Sequence, residues 1–136
     1  MTSAELPPEP ASAAAVRAMV RRVLARKCPP DVVDVAALLA SELVTNAVLH
    51  ARSPARVTVR PGPDAVRVEV GDRSSTPPRV RDFAPEASTG RGLQMIEALA
   101  DAWGVEPDGA GKVVWFEVSP SSVARRAAEP GHPEHG

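Results

Sequence analysis

The sequence predicts an α+β fold, a two-layer α/β sandwich whose mixed, mainly antiparallel sheet carries helices on one face. Three observations predict it. Two segments near the start place apolar residues at helical spacing, and two segments after them alternate with a period of two. A Gly-x-Gly break then opens a third helical segment, which is followed by two more strand-like runs around a PDGAG turn. The predicted order is ααββ, a long loop, then αββ, and such a set buries its apolar faces by laying helices on a sheet.

Met1 to Pro10 is rich in Pro and Glu, and residues 1–10 are expected to be a flexible N-terminus. Ser12 is placed to cap a first helix reaching Lys27, with Val16, Met19, Val20, Val23 and Leu24 on its apolar side and arginines on the other. Cys28-Pro29-Pro30 ends it, because proline restricts the residue before it and cannot continue the ladder. Asp31 is placed to cap a second helix that runs to about His50 or Arg52 and stops before Pro54. Arg56–Arg60 and Ala65–Val70 alternate around PGPD, which suits a hairpin. The proline-rich stretch from Asp72 to Thr89, with Phe83 as its one aromatic residue, reads as a loop long enough to be functional. Gly90-Arg91-Gly92 opens a helix over Leu93–Ala102, and Trp103–Glu106 and Lys112–Val118 complete the strands. The domain is expected over residues 11–118, with 119–136 a disordered tail.

Composition excludes several classes. Sixteen basic residues against 17 acidic ones give no footprint for nucleic acid or an anionic membrane. Tyr is absent and Phe and Trp total four, too few for a base-stacking platform. No apolar run approaches the roughly 20 residues that span a bilayer. The N-terminus lacks the basic and apolar regions of a signal peptide, and the single Cys28 makes neither an internal disulfide nor a metal site. A cytoplasmic protein is the expectation.

The second helix carries the chemistry. Its segment AALLASELVTNAVLH is apolar nearly all round, with a narrow polar edge of Asp34, Ser41 and Thr45, so burial is predicted. Yet Glu42, Asn46 and His50 recur at i, i+4 and i+8, forming one polar column inside that surface. A buried carboxylate and carboxamide need partners, supplied either by the protein or by a ligand. Asp72 ends the strand AVRVEVG, and Gly90-Arg91-Gly92 puts bare backbone N–H groups at a helix start, which suits an anion.

Taken in order, ELVTNAVLH, VEVGDRSSTPP, STGRGLQMIEALADAWGV and GKVVWFEV resemble the nucleotide-binding domain shared by gyrase, Hsp90, histidine kinases and MutL. Within it the likeness is to the anti-sigma-factor serine/threonine kinases and their stand-alone actinomycete relatives, over residues 12 to 118. The resemblance implies ATP and Mg²⁺ as cofactors. It makes Asn46 the metal ligand, Glu42 the general base and Asp72 the reader of the adenine amino group, so GTP would bind poorly. Gly90, Arg91, Gly92 and Leu93 would border the phosphates, and residues Arg73 to Thr89 would form a lid. His50 would be supporting or structural. The partners implied are ATP/ADP and a protein, either a sigma factor or an anti-anti-sigma-like protein, with a homodimer possible and neither nucleic acid nor membrane involved. The sequence departs from the pattern twice. Lys112 follows the last-strand glycine where the wider family carries Thr, and Glu86-Ala87-Ser88-Thr89 lacks the basic residue that precedes the glycine motif in the kinases. Arg79, Arg81 or Arg91 would then supply that charge. Two functions remain open: a protein kinase, and a nucleotide-gated module that sequesters its partner with little or no phosphoryl transfer.

Overall fold

A computed structural model describes residues 1–51, 53–73, 88–109 and 111–120, the side chains of 50, 51 and 88–93 excepted. The elements are β1 (Thr2–Leu6), α1 (Ala11–Leu24), α2 (Pro30–Asn46) with a π-helical extension (Ala47–Ala51), β2 (Ala55–Pro61), β3 (Val66–Asp72), α3 (Ser88–Leu99), β4 (Ala102–Asp108) and β5 (Gly111–Val118). The five strands form one sheet in the order β1-β2-β3-β5-β4, and every pairing is antiparallel.

The two-layer architecture is as expected, with one strand more. Residues 1–10 are not wholly flexible, because Thr2–Leu6 pairs with β2 as the sheet's edge. Ala4 and Leu6 pack against the core, and Ser3 Oγ shares a 2.9 Å hydrogen bond with Thr58 Oγ1 on the other face. Five residues alternating around a single leucine gave too weak an apolar signal to read as a strand.

Alternation fixes the sheet's faces. Ala55, Val57, Val59, Val66, Val68, Val70, Val114, Phe116 and Val118 point into the core, while Arg56 and Arg60 are exposed on the other face. On that uncovered face Arg67 lies 4.0 Å over the Trp115 ring and bonds to Glu69 and Glu117. The hydrogen bond to Glu69 above all pushes the Arg67 guanidinium above its ordinary range. Gly104 opposes Trp115, and a Cβ there would stand 2.9 Å from the ring, so the indole lies across a strand only glycine leaves open.

The helices cover the opposite face. α1 packs on α2, β1 and β2, and α2 packs on β3, β5 and α3. Ser12 does not cap α1; its hydroxyl donates to the Pro7 carbonyl at 2.6 Å instead, tying the β1–α1 link. α1 stops at Leu24, three residues earlier than expected. Asp31 lies in the first turn of α2 without capping it, because Pro30 takes the first helical position, where a missing N–H costs nothing. Ser41, expected at the solvent edge, is buried, with its hydroxyl returned to the Leu38 carbonyl at 2.8 Å. α3 starts at Ser88 rather than Leu93 and ends at Leu99, so the glycine motif sits inside its first turns.

The helical run Pro30–Leu49 is long and apolar enough to cross a membrane by length and composition, contrary to the expectation that no such run exists. Its most apolar window is 61% buried inside the fold, and its buried residues include the polar Ser41, Glu42 and Asn46. That is the pattern of a core helix.

Candidate functional site

Three elements meet around α2: the sheet beneath it at β3 and β5, and α3 beside it. Each brings one part of the constellation expected from sequence.

From α2 come Glu42 and Asn46, one turn apart and buried at 9% and 8% exposure. Both Asn46 side-chain atoms, Oδ1 and Nδ2, are buried with no hydrogen-bond partner among the described residues. A buried amide left so costs about 1–3 kcal/mol for each unmet group. The helix places it there because the α-turn ends at Asn46. The Ala47 N–H reaches both the Leu43 and Val44 carbonyls, and the chain then widens into the π-turn Ala47–Ala51. Such bulges recur at functional sites. The π-turn also ends the 100° spacing after Asn46. The His50 side chain lies outside the described residues.

From the sheet comes Asp72, the last residue of β3, on the same face as Val68 and Val70. Lys112, directly opposite on β5, places Nζ 3.0 Å from Asp72 Oδ2. Sequence reading identified Lys112 as a departure from the family pattern but not as the neighbour of Asp72. Asp72 lies one alternation step after Val70 and Lys112 one step before Val114, a match that shows only once β3 and β5 are known to pair. Gly111 lies against the backbone of Asp72. A Cβ on Gly111 would fall 1.8 Å from the Asp72 carbonyl oxygen, so only glycine lets β5 start this close to the end of β3.

From α3 come Gly90, Arg91, Gly92 and Leu93, all within the first turns of the helix. With α3 starting at Ser88, the N–H groups left free in the first turn end at Gly90, where the dipole favours an anion, and those from Arg91 to Leu93 lie beyond it, contrary to the expectation that the glycine motif opens the helix. The side chains of Arg91 and Leu93 lie outside the described residues, as do Arg79, Arg81, Phe83, most of the expected lid from Arg73 to Thr89 and the expected tail beyond Pro120.

The donor set fits a metal–nucleotide. A carboxamide oxygen is a hard ligand, and Mg²⁺ needs only one or two protein ligands when phosphates supply others. No group of three or more His, Cys, Asp or Glu that could hold a metal by itself exists among the described residues. A cavity of about 490 Å³ lies along the uncovered face, lined by Glu5, Arg56, Thr58 and Glu69 and also by Asp72 and Gly111 at the strand ends.

Residues 6–118 match the family model of the histidine kinase-like ATPase domain. No curated protein matches the chain. Among solved structures, it is similar to the RsbU and RsbW domains of Rv1364c from Mycobacterium tuberculosis, at TM-score 0.64 and 22% identity over 88% of this chain and 32% of that one. It is also similar to the histidine kinase domain of the Erythrobacter litoralis EL346 blue-light activated histidine kinase, at TM-score 0.60 and 20% identity over 90% of this chain and 65% of that one. This chain therefore spans about a third of the first structure and just under two thirds of the second. At these identities the likeness is one of fold.

Proposed function

Because the chain belongs to the histidine kinase-like ATPase family, we propose that it binds ATP with Mg²⁺ and passes the γ-phosphoryl group to a serine of a partner protein, as an anti-sigma-factor-like regulator in the cytoplasm. The observation that carries the reading is Asn46, a buried amide of α2 with neither polar atom bonded by the described residues. Asn46 would hold the metal, which neutralises charge on the phosphates when bound. Asp72 would receive the base, and the backbone from Gly90 to Leu93 would border the phosphates. Glu42 faces the same side of α2 one turn earlier, where a carboxylate can take the serine proton. The serine oxygen then bonds to the γ-phosphorus as the bridging P–O bond breaks and ADP leaves. The partner is a sigma factor or an anti-anti-sigma-like protein, and a homodimer is compatible with this role.

A second reading is a nucleotide-gated binding module without significant transfer. It is favoured by the stretch Glu86-Ala87-Ser88-Thr89, which offers no cation just before the glycine motif. Labelled ATP and the candidate partner separate the two. Glu42→Gln, nearly isosteric, is expected to keep ATP affinity and partner capture while phosphate transfer falls about 10²–10⁴-fold. Wild-type protein that captures the partner but transfers no label would establish the module instead.

A further inference from the structure

The ion pair between Asp72 and Lys112 has no counterpart in the simple picture of one carboxylate reading adenine. The two side chains meet at 3.0 Å on the helix-covered face, with 7% of the Asp72 side chain and 15% of the Lys112 side chain exposed. Stability does not call for ions there. A buried pair is often no better than apolar residues of like volume, and the neighbouring positions in both strands are valines, Val70 and Val114. The pair stands at the strand ends where the base is expected, and one of its members is the expected reader.

We propose that Lys112 is a second reader of the base, and that Asp72 and Lys112 together admit purine nucleotides with either an amino or a carbonyl group at position 6. This rests on the nucleotide-binding reading above. Adenine presents an N–H donor at that position and guanine a carbonyl acceptor. Asp72 alone is acceptor-only, so it would repel the guanine carbonyl. Lys112 changes that, because an ammonium has three rotatable donors on a flexible stem. One N–H stays on Asp72 Oδ2 while another points to the guanine oxygen, so the carbonyl meets a cation instead of a bare carboxylate. With adenine, the carboxylate accepts the amino N–H directly and the ammonium is left to donate to the ring nitrogen beside it. Threonine at this position offers one weak, uncharged donor on a short stem and cannot bridge in this way.

The test is calorimetric titration of the full chain with the Mg²⁺ complexes of ATP, GTP and ITP, for wild type and Lys112→Thr, with a melting curve for each protein. ITP carries the 6-carbonyl without the 2-amino group and so isolates the proposed contact. Wild type is expected to bind all three within about tenfold of one another, and Lys112→Thr to raise the ATP preference over GTP and over ITP by about tenfold or more, the worth of a single charge-assisted hydrogen bond. Wild type that binds ATP but holds both GTP and ITP about a hundredfold or more weaker would overturn the proposal while leaving nucleotide binding intact. So would a Lys112→Thr protein that shifts all three affinities by one common factor, which would make Lys112 a latch on Asp72. Binding of none of the three by a folded wild type would contradict the nucleotide reading itself. The wild-type comparison decides the matter even if the variant does not fold.

Discussion

Gly111 shows how much one residue can govern. Its missing Cβ is what lets β5 begin against the Asp72 carbonyl, and the obstacle is backbone, which cannot swing aside like a side chain. Gly111→Ala is therefore expected to cost about 1–3 kcal/mol by overpacking. It should also weaken ATP, because the Asp72 carboxylate moves with its backbone. A melting curve and a titration on the same sample check both, and unchanged affinity in a destabilised variant would separate Asp72 from the base site. Cys28 makes a smaller case. Partial burial pushes its thiol up, against the lowering effect of Lys27, so little thiolate exists near neutral pH. Iodoacetamide is expected to label it more slowly than a free cysteine at about pH 7–8. Labelling at the free-thiol rate would contradict that placement.

At the scale of elements, α2 was the part most legible in the sequence. An apolar segment interrupted by Glu42 and Asn46 at helical spacing reads as a buried helix whose two polar side chains need partners, and both residues are buried there. What the count of 100° per residue missed was the π-turn after Asn46, since hydrogen-bond slippage leaves no mark on an apolar pattern. β1 was missed for another reason: its pairing is decided by the open edge of β2 and not by its own composition. The strand nevertheless covers that edge. Removing residues 1–6 is expected to cost on the order of 1–3 kcal/mol, from the lost ladder, the Ser3–Thr58 bond and the uncovered Ala4 and Leu6 contacts. The truncated protein should also self-associate, because β2 becomes an unprotected edge. Melting and sedimentation measurements check this, and a truncated chain as stable and as monodisperse as the full one would show that β1 is dispensable.

For the whole molecule, the fold class followed from the order of periodicities, and the candidate site followed because its members lie at the ends of elements. Asp72 closes a strand, the glycines lie in the first turns of a helix, and Asn46 ends an α-helix. The Asp72–Lys112 contact stayed hidden because it depends on which strands are neighbours: β5 inserts between β3 and β4, so the two residues meet across 40 positions of sequence only once the sheet is assembled. The central claim is that this assembly exists to hold a metal–nucleotide against Asn46. Its most direct test is a titration with ATP, in Mg²⁺ and in EDTA, of wild type and Asn46→Ala. The account predicts Mg²⁺-dependent binding by wild type and a melting temperature that rises with ligand by mass action. It predicts loss of most of that binding in Asn46→Ala, whose stability without ligand stays within about 1 kcal/mol because the amide removed was making no hydrogen bond with the described residues. Mg²⁺-dependent affinity undiminished in Asn46→Ala would contradict it.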